Sequence, residues 1–241
     1  MPYIKTTYIY PDGSIEVVKV FSGRYGSRGQ KHKPKENPTS EVMVLINERK
    51  AIEKLRRKIK ANFFEAYHMV LTYKKTERPS PEESKKILQD FLRNFRSAYK
   101  KEGEVLKYII VTEYKNKAIH HHLIVNEIPK TMEIVKKYWT RGRPNFTPLY
   151  SEDSYQELAE YLIKETRKTF REGKAQKKRY SCSRNLIEPE CKTEIVPAST
   201  FRKEPKPKKG YYIDKSTLCE GINEFGYRYQ YYTMIKIKKR E

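Results

Sequence analysis

Three of the five histidines stand side by side, in the run Ile119-His120-His121-His122-Leu123-Ile124-Val125. Such a run suits a β-strand, where side chains alternate between faces, so His120 and His122 point one way and His121 the other. Two imidazoles on one face of a rigid strand are a ready pair of metal ligands. Upstream, residues 108–114 read as a second strand, and Lys115-Asn116-Lys117-Ala118 as a tight turn. With Asn116 and Lys117 as the turn residues, Tyr114 faces Ile119 and Glu113 faces His120. Glu113, His120 and His122 then form one carboxylate and two imidazoles, a set that binds a catalytic divalent ion and leaves positions open for substrate. The plainer reading is three ordinary half-buried strand residues. Against it, His121 cannot share a face with its neighbours. The run is also internal and flanked by strand formers, which excludes a cloning tag.

A second reactive group lies downstream. The pattern predicts a helix over residues 153–170, with Tyr155, Leu158, Ala159, Leu162 and Ile163 as its apolar stripe. At 100° per residue Tyr161 falls off that stripe, near Glu157, Lys164 and Lys168. Among 20 tyrosines it reads either as a surface residue or as an exposed phenol set beside two lysines.

The elements that must hold these groups follow a regular order. Residues 6–10 and 15–21 flank Pro11-Asp12-Gly13-Ser14, an N-terminal hairpin. Residues 22–40 read as a basic loop. A helix is expected from about residue 47 to residue 62, burying Ile52, Leu55, Ile59 and Phe63. Its other face is basic, with Glu53 the one acid between Arg49 and Lys60. That face is either solvated or turned toward phosphates, and Arg56, Arg57 and Lys58 are its expected DNA contacts.

Then come a strand at residues 68–73 and a helix opened by Ser80-Pro81-Glu82-Glu83, an N-cap, a proline and a capping-box glutamate. A strand pair covers residues 105–126. Thr131 is expected to cap a helix that ends at Gly142, and residues 145–150 form a strand. The order β-α-β-β-α-β predicts an α+β fold, a ferredoxin-like (split βαβ) antiparallel sheet with helices on one face and additions at both ends. The expected division is 1–45 for the hairpin and basic loop, 46–185 for the core, and 186–241 for a basic, tyrosine-rich β appendage. In the appendage Tyr227, Tyr229 and Tyr231 share a face. They read as a tyrosine-lined core or as a platform for unpaired bases.

Composition narrows the partners. The chain has 241 residues, with 52 Lys plus Arg against 30 Asp plus Glu, a net charge of +22. So large an excess points to a polyanion. No apolar run is long enough to span a bilayer and no signal-peptide core is seen, so nucleic acid is favoured over membrane. Cys182, Cys191 and Cys219 are widely spaced and odd in number, which suits reduced thiols in a cytoplasmic protein. No Gly-x-x-x-x-Gly-Lys-Ser/Thr run is present, so a separate helicase is expected to open duplex DNA.

Together, a His-x-His strand with a carboxylate and a later helix bearing Tyr161-Leu162-Ile163-Lys164 resemble the HUH endonucleases that initiate rolling-circle replication. Val70-Leu71-Thr72-Tyr73 occupies the place of that family's first strand motif. Several further stretches are similar to the bacterial and phage rolling-circle replication-associated proteins. They are Ala61-Asn62-Phe63, Trp139 with Gly142, Arg179-Tyr180-Ser181-Cys182-Ser183-Arg184-Asn185-Leu186, and the Gly226-Tyr227-Arg228-Tyr229-Gln230-Tyr231-Tyr232 tail.

The resemblance implies Tyr161 as nucleophile with Lys164 as its helper, and Mg²⁺ or Mn²⁺ on Glu113, His120 and His122. It implies DNA contacts that include Thr72, Trp139, Arg143, Lys168 and Arg184. The implied partners are a single-stranded origin and a host helicase and polymerase, in the cytoplasm of a bacterial host cell. The histidine at position 121 departs from the family's usual apolar residue. A single-strand HUH transposase and a non-catalytic ferredoxin-like nucleic-acid-binding module are the alternatives.

Overall fold

The structure, a computed structural model, describes residues 2–23, 25, 41–115, 118–150, 155–166 and 178–237. The chain is mixed α+β, with two antiparallel five-stranded sheets that belong to two compact units. One unit takes residues 39–187, and the other takes both ends of the chain, 1–38 and 188–241.

In the 39–187 unit, helix α1 (Glu41–Asn62) leads into strand β3 (Glu65–Leu71) and helix α2 (Pro81–Lys101). Strands β4 (Tyr108–Lys115) and β5 (Ala118–Asn126) follow, then α3 (Thr131–Tyr138), β6 (Pro144–Tyr150), α4 (Gln156–Glu165) and the short β7 (Ser181–Cys182). The strands lie in the order β6-β3-β5-β4-β7. Side-chain alternation gives the sheet two apolar faces. Met69, Leu71, Ile110, Leu123 and Val125 meet Phe91, Phe95, Val135 and Trp139 from α2, α3 and the residue after α3. On the opposite face, Ala66, Ile109, Val111 and Ile124 meet Leu55 and Ile59 of α1 and Ala159, Leu162 and Ile163 of α4. Helices therefore cover both faces, not one: the βαβ periodicity accounts for α2 and α3, whereas α1 and α4 flank it and close the second face.

Local chemistry explains most boundaries. Ser80 and Glu83 complete the expected capping box, with Glu83 N donating to Ser80 Oγ at 3.2 Å and Ser80 N to Glu83 Oε2 at 2.8 Å. Helix α1 starts at Glu41, not near residue 47: Val42, Val44, Leu45 and Ile46 form an apolar run without helical period, so the pattern hid the first turn. Thr131 does not cap α3. It is the first helical residue, and its hydroxyl accepts from Ile128 N at 2.8 Å and meets Tyr99 Oη at 2.8 Å.

The other unit contains β1 (Tyr3–Ile9), β2 (Ile15–Phe21), β8 (Glu190–Val196), β9 (Tyr211–Ile222) and β10 (Arg228–Lys236), in the order β8-β1-β2-β10-β9. The N-terminal hairpin and the C-terminal strands, separate in sequence, thus share one sheet. Its small core is Ile15, Val17, Tyr232 and Met234. Tyr227 stacks on Phe21 with ring centroids 3.6 Å apart, and Tyr229 and Tyr231 pack against each other at 5.7 Å. Cys182, Cys191 and Cys219 are free and exposed. Among the described residues, no helix is long and apolar enough to cross a membrane.

Candidate active site

The β4–β5 register pairs Glu113 with His120 and Tyr114 with Ile119, as the two-residue turn requires. The turn residues Asn116 and Lys117 themselves lie outside the described residues. Glu113, His120 and His122 share the face that carries α1 and α4. Glu113 Oε2 stands 3.5 Å from His120 Nδ1 and 3.4 Å from His122 Nε2. Glu113 and His122 are buried, while His120 is half-buried.

A third imidazole completes this face. His68 on β3 places Nε2 3.3 Å from His122 Nδ1, with the rings stacked at 5.5 Å and 15°. The β3–β5 register explains this: Val70 pairs with His122 and His68 with Ile124, so His68 and His122 are diagonal neighbours on one face. Burial, then the neighbouring His122, pushes His68 down to about 4. Burial, then His120, pushes His122 to about 4 as well, with Glu165 acting in the other direction. Both rings are therefore neutral near pH 7, and each carries one N–H and one lone pair.

Tyr161 joins the cluster from α4. Its ring meets His122 edge-on at 5.4 Å and His68 at 6.5 Å. Ala159, Leu162 and Ile163 bury the other side of the helix, which leaves Tyr161 42% exposed. Burial, then the carboxylates of Glu165 and Glu113, raises the phenol above its ordinary range. Tyr155 has the opposite environment. It is buried, and its hydroxyl donates to Tyr150 O at 2.8 Å and Phe63 O at 3.0 Å. These bonds hold it at φ 55°, where it serves as the left-handed residue before α4. Lys164 is exposed, with Nζ 4.0 Å from Glu160 Oε2.

His121 points to the other face and is a satisfied core residue. Thr112 Oγ1 lies 2.9 Å from Nδ1 and Tyr73 Oη 2.9 Å from Nε2. Burial pushes it down to about 3, followed by His122 and His120.

The residues expected to touch DNA divide. Trp139 is 2% exposed and sits in the core. Its indole N–H donates to Thr72 O at 3.0 Å, so it holds backbone and is not presented to DNA. Thr72 Oγ1 donates to Arg143 O at 2.9 Å. Gly142 presses against the same strand end: a Cβ there would lie 2.1 Å from Thr72 O, which only glycine avoids. The cluster Thr72, Trp139, Gly142 thus ties the end of β3 to the α3–β6 connection, leaving the Arg143 side chain exposed beside it. Arg184 is exposed too. On α1 the expected basic face is partly closed. Lys58 is 8% exposed, and Arg57 Nη2 pairs with Glu53 Oε2 at 2.7 Å. Arg56 is half-buried, whereas Arg49, Lys50 and Lys54 are exposed. Lys168 and residues 171–177 of the basic stretch lie outside the described residues.

One carboxylate (Glu113), three imidazoles (His68, His120 and His122) and an exposed phenol (Tyr161) thus share this face of the sheet. Among the described residues, no group of three His, Cys, Asp or Glu side chains already surrounds a point where an ion would sit. Glu113 instead contacts His122 at 3.4 Å, within hydrogen-bond reach, and His120 at 3.5 Å. The donor types nonetheless suit a divalent ion, because a carboxylate and imidazoles are the oxygen and nitrogen donors such ions take. Sequence reasoning missed His68 and Glu165. His68 required the long-range β3–β5 register, whereas Glu165 is one turn beyond Tyr161 and its spacing could have found it.

Residues 66–170, from β3 through α4, match the family model described as Replication-associated protein ORF2/G2P. No curated protein and no solved structure gives a significant match.

Proposed function

We propose that this chain, whose residues 66–170 match the replication-associated protein family, initiates rolling-circle replication by nicking and rejoining single-stranded DNA at an origin. The succession β3-α2-β4-β5-α3-β6, with strand order β6-β3-β5-β4, is read as the ferredoxin-like scaffold of an HUH endonuclease. The observation that carries the proposal is the meeting of Tyr161 and His122, rings 5.4 Å apart, at an edge where Glu113 contacts both His120 and His122.

Tyr161 is the proposed nucleophile. Its phenol oxygen attacks phosphorus, the bond from phosphorus to the 3′ oxygen breaks, and a 5′-phosphotyrosine forms. The phenol gives up one proton and the departing 3′ hydroxyl takes one, so the step is proton-neutral. The freed 3′-OH primes synthesis, and its attack on the phosphotyrosine rejoins strands. Glu113, His120 and His122 would hold Mg²⁺ or Mn²⁺, whose chemistry there is to polarise the scissile phosphate and offset its charge. Burial, then two neighbouring carboxylates, makes the Tyr161 phenol resist ionisation, so nearby positive charge would favour its reaction. Lys164, which lies 4.0 Å from Glu160, is the proposed helper and would supply some of it once DNA is bound. A single tyrosine in this position implies that a second transfer uses water or another subunit. A host helicase and polymerase in the bacterial cytoplasm complete the scheme.

The test is cleavage of single-stranded origin DNA on a denaturing gel, with and without EDTA. Divalent-dependent nicking with protein left on the 5′ end is expected. Binding without cleavage under every metal condition would instead favour a non-catalytic nucleic-acid module.

A further inference from the structure

One imidazole beside the candidate site has no part in the chemistry proposed above. His68 stands on β3, two residues before the Val70-Leu71-Thr72-Tyr73 stretch, and is half-buried. Its Nε2 makes a hydrogen bond of 3.3 Å with His122 Nδ1, the two ring planes lying 15° apart. Both rings rise from inner strands of the sheet: β3 lies between β6 and β5, and β5 between β3 and β4. Their main chains are therefore paired on both sides, so the sheet register sets the contact and not a loop. The ring of Tyr161 stands edge-on to both, 5.4 Å from His122 and 6.5 Å from His68.

The two nitrogens of His122 have different partners. Nδ1 meets His68, and Nε2 meets Glu113 Oε2 at 3.4 Å. A neutral imidazole carries one N–H and one lone pair, so the ring has two arrangements. In the first, Nε2 donates to Glu113 and Nδ1 accepts from His68. In the second, Nδ1 donates to His68 and Nε2 turns its lone pair toward Glu113, which suits a cation shared with the carboxylate. His68 serves either arrangement, because its own Nε2 donates in the first and accepts in the second. The exchange moves one proton from Nε2 to Nδ1 within each ring, and none is gained or lost. His68 itself is not placed as a ligand, since its Nε2 is engaged at Nδ1 of His122 whereas Glu113 lies at Nε2.

We propose that His68 is a positioning residue: its hydrogen bond to Nδ1 holds the His122 ring in place and fixes which nitrogen carries the proton, so that Nε2 offers a lone pair where Glu113 lies. A partner on the far nitrogen of a ligating imidazole sets its tautomer and orientation and raises its basicity. A side chain at position 68 with neither donor nor acceptor would leave Nδ1 unpaired on a buried ring, and the second arrangement would lose its acceptor. The inference rests on the divalent-ion reading above and concerns a residue that reading does not use.

The experiment uses the full chain, with Mn²⁺ as the probe. Calorimetric titration compares the wild type with three variants. His68→Leu keeps bulk and removes both nitrogens, His68→Gln keeps an amide that can donate or accept near the place of Nε2, and His122→Ala removes the ligand itself. His68→Leu should weaken Mn²⁺ binding by about 10–100-fold, and His68→Gln should recover it to within a few-fold. The cleavage defect of His68→Leu should be largest at low Mn²⁺ and shrink as Mn²⁺ saturates. Proton–nitrogen correlation spectra of the wild-type histidines, without metal and then with Mg²⁺, should show His68 and His122 exchanging their protonated nitrogen together. Equal losses of affinity in the leucine and glutamine variants, in step with equal falls in melting temperature, would reduce His68 to packing and overturn the proposal. Wild-type affinity in His68→Leu would overturn it too, as would His122 nitrogen resonances that ignore the change at residue 68. If the wild type and His122→Ala bind Mn²⁺ alike, the metal reading falls. The positioning role then stands if His68→Leu shifts the His122 resonances of the metal-free protein, and falls if it does not.

Discussion

The two faces of strand β5 carry the same chemical group in two environments. On one, His120 and His122 meet a carboxylate, a further imidazole and a phenol, at an edge where Tyr161 is 42% exposed. On the other, His121 is enclosed, with each nitrogen held by a hydroxyl and Trp139 edge-on at 6.0 Å. The difference is one of satisfaction. The enclosed ring has all its hydrogen-bonding capacity used by fixed neutral partners, so it specifies packing. The rings of the other face, His120 half-buried and His122 buried, meet a carboxylate that a ligand could compete for. Adjacent identical residues can therefore hold opposite roles simply because a strand has period two.

The sharpest way to break this comparison is Tyr161→Phe. It should remove the protein–DNA adduct and cleavage altogether, with thermal stability close to wild type, because the lost hydroxyl lies on an exposed ring. Tyr155→Phe should do the converse: the adduct persists, but two hydrogen bonds to main-chain carbonyls are lost and the melting temperature falls. Mass spectrometry of the reacted protein and a melting curve read both. A Tyr161→Phe protein that still yields an adduct would move the nucleophile elsewhere.

Next in size is the histidine pair. His122→Ala should lower cleavage at least ~100-fold, since loss of a group that holds the reacting centre is rarely milder. His121→Leu should keep cleavage within a few-fold. It should nonetheless lose about 1–3 kcal/mol of stability, because the Thr112 and Tyr73 hydroxyls are left without their partner. Inactivity of His121→Leu at native stability would contradict the division of the faces.

Trp139→Ala should destabilise the fold by about 3–5 kcal/mol, as judged by urea denaturation. The affinity of the folded fraction for DNA should not change, because the indole is buried. A selective loss of DNA binding would restore Trp139 to the interface.

Acidification should act on both faces. The folded state holds His68 and His122 near about 4 and His121 near about 3, all below the unfolded value of about 6.5. The unfolded chain thus takes up protons first, and stability is complete above about pH 6.5 and falls as the pH drops toward about 4. Each histidine removes up to about 1.4 kcal/mol per pH unit inside its window. Denaturation of the metal-free protein between pH 7 and 4.5 should show the decline, and a flat profile would mean that the rings are charged in the fold. The smallest effect expected is Lys164→Ala, a slowing of adduct formation by a few-fold, since the ammonium is exposed and near Glu160.

What the sequence revealed was whatever depends on near neighbours. The opposition of Glu113 and His120 follows from a hairpin turn, the Ser80–Glu83 box from four residues, and the position of Tyr161 from helical angle. Each needs only a local period. The His68–His122 contact needs the pairing of strands 54 residues apart in the chain, and no local rule supplies that register. The burial of Trp139 and Lys58 likewise depends on what packs over them, and a helical wheel cannot show this. Trp139 also illustrates a limit of motifs, since Trp139 with Gly142 marks a structural clasp on Thr72 as readily as a binding residue.

The terminal sheet has a bearing on how the chain comes into being. Its β1–β2 hairpin is synthesised before the 39–187 unit, but β2 must wait for β10 and β1 for β8, across the whole of that unit. The intervening unit has all its strands and helices in one continuous stretch and can close while the rest is still emerging from the ribosome. The sheet with the longest loop to close is thus the last to form and bears the highest contact order in the molecule. Until β10 arrives, the hairpin presents two open strand edges to its surroundings, and the lysines on β1 and β2 are the groups that keep those edges from pairing with another chain.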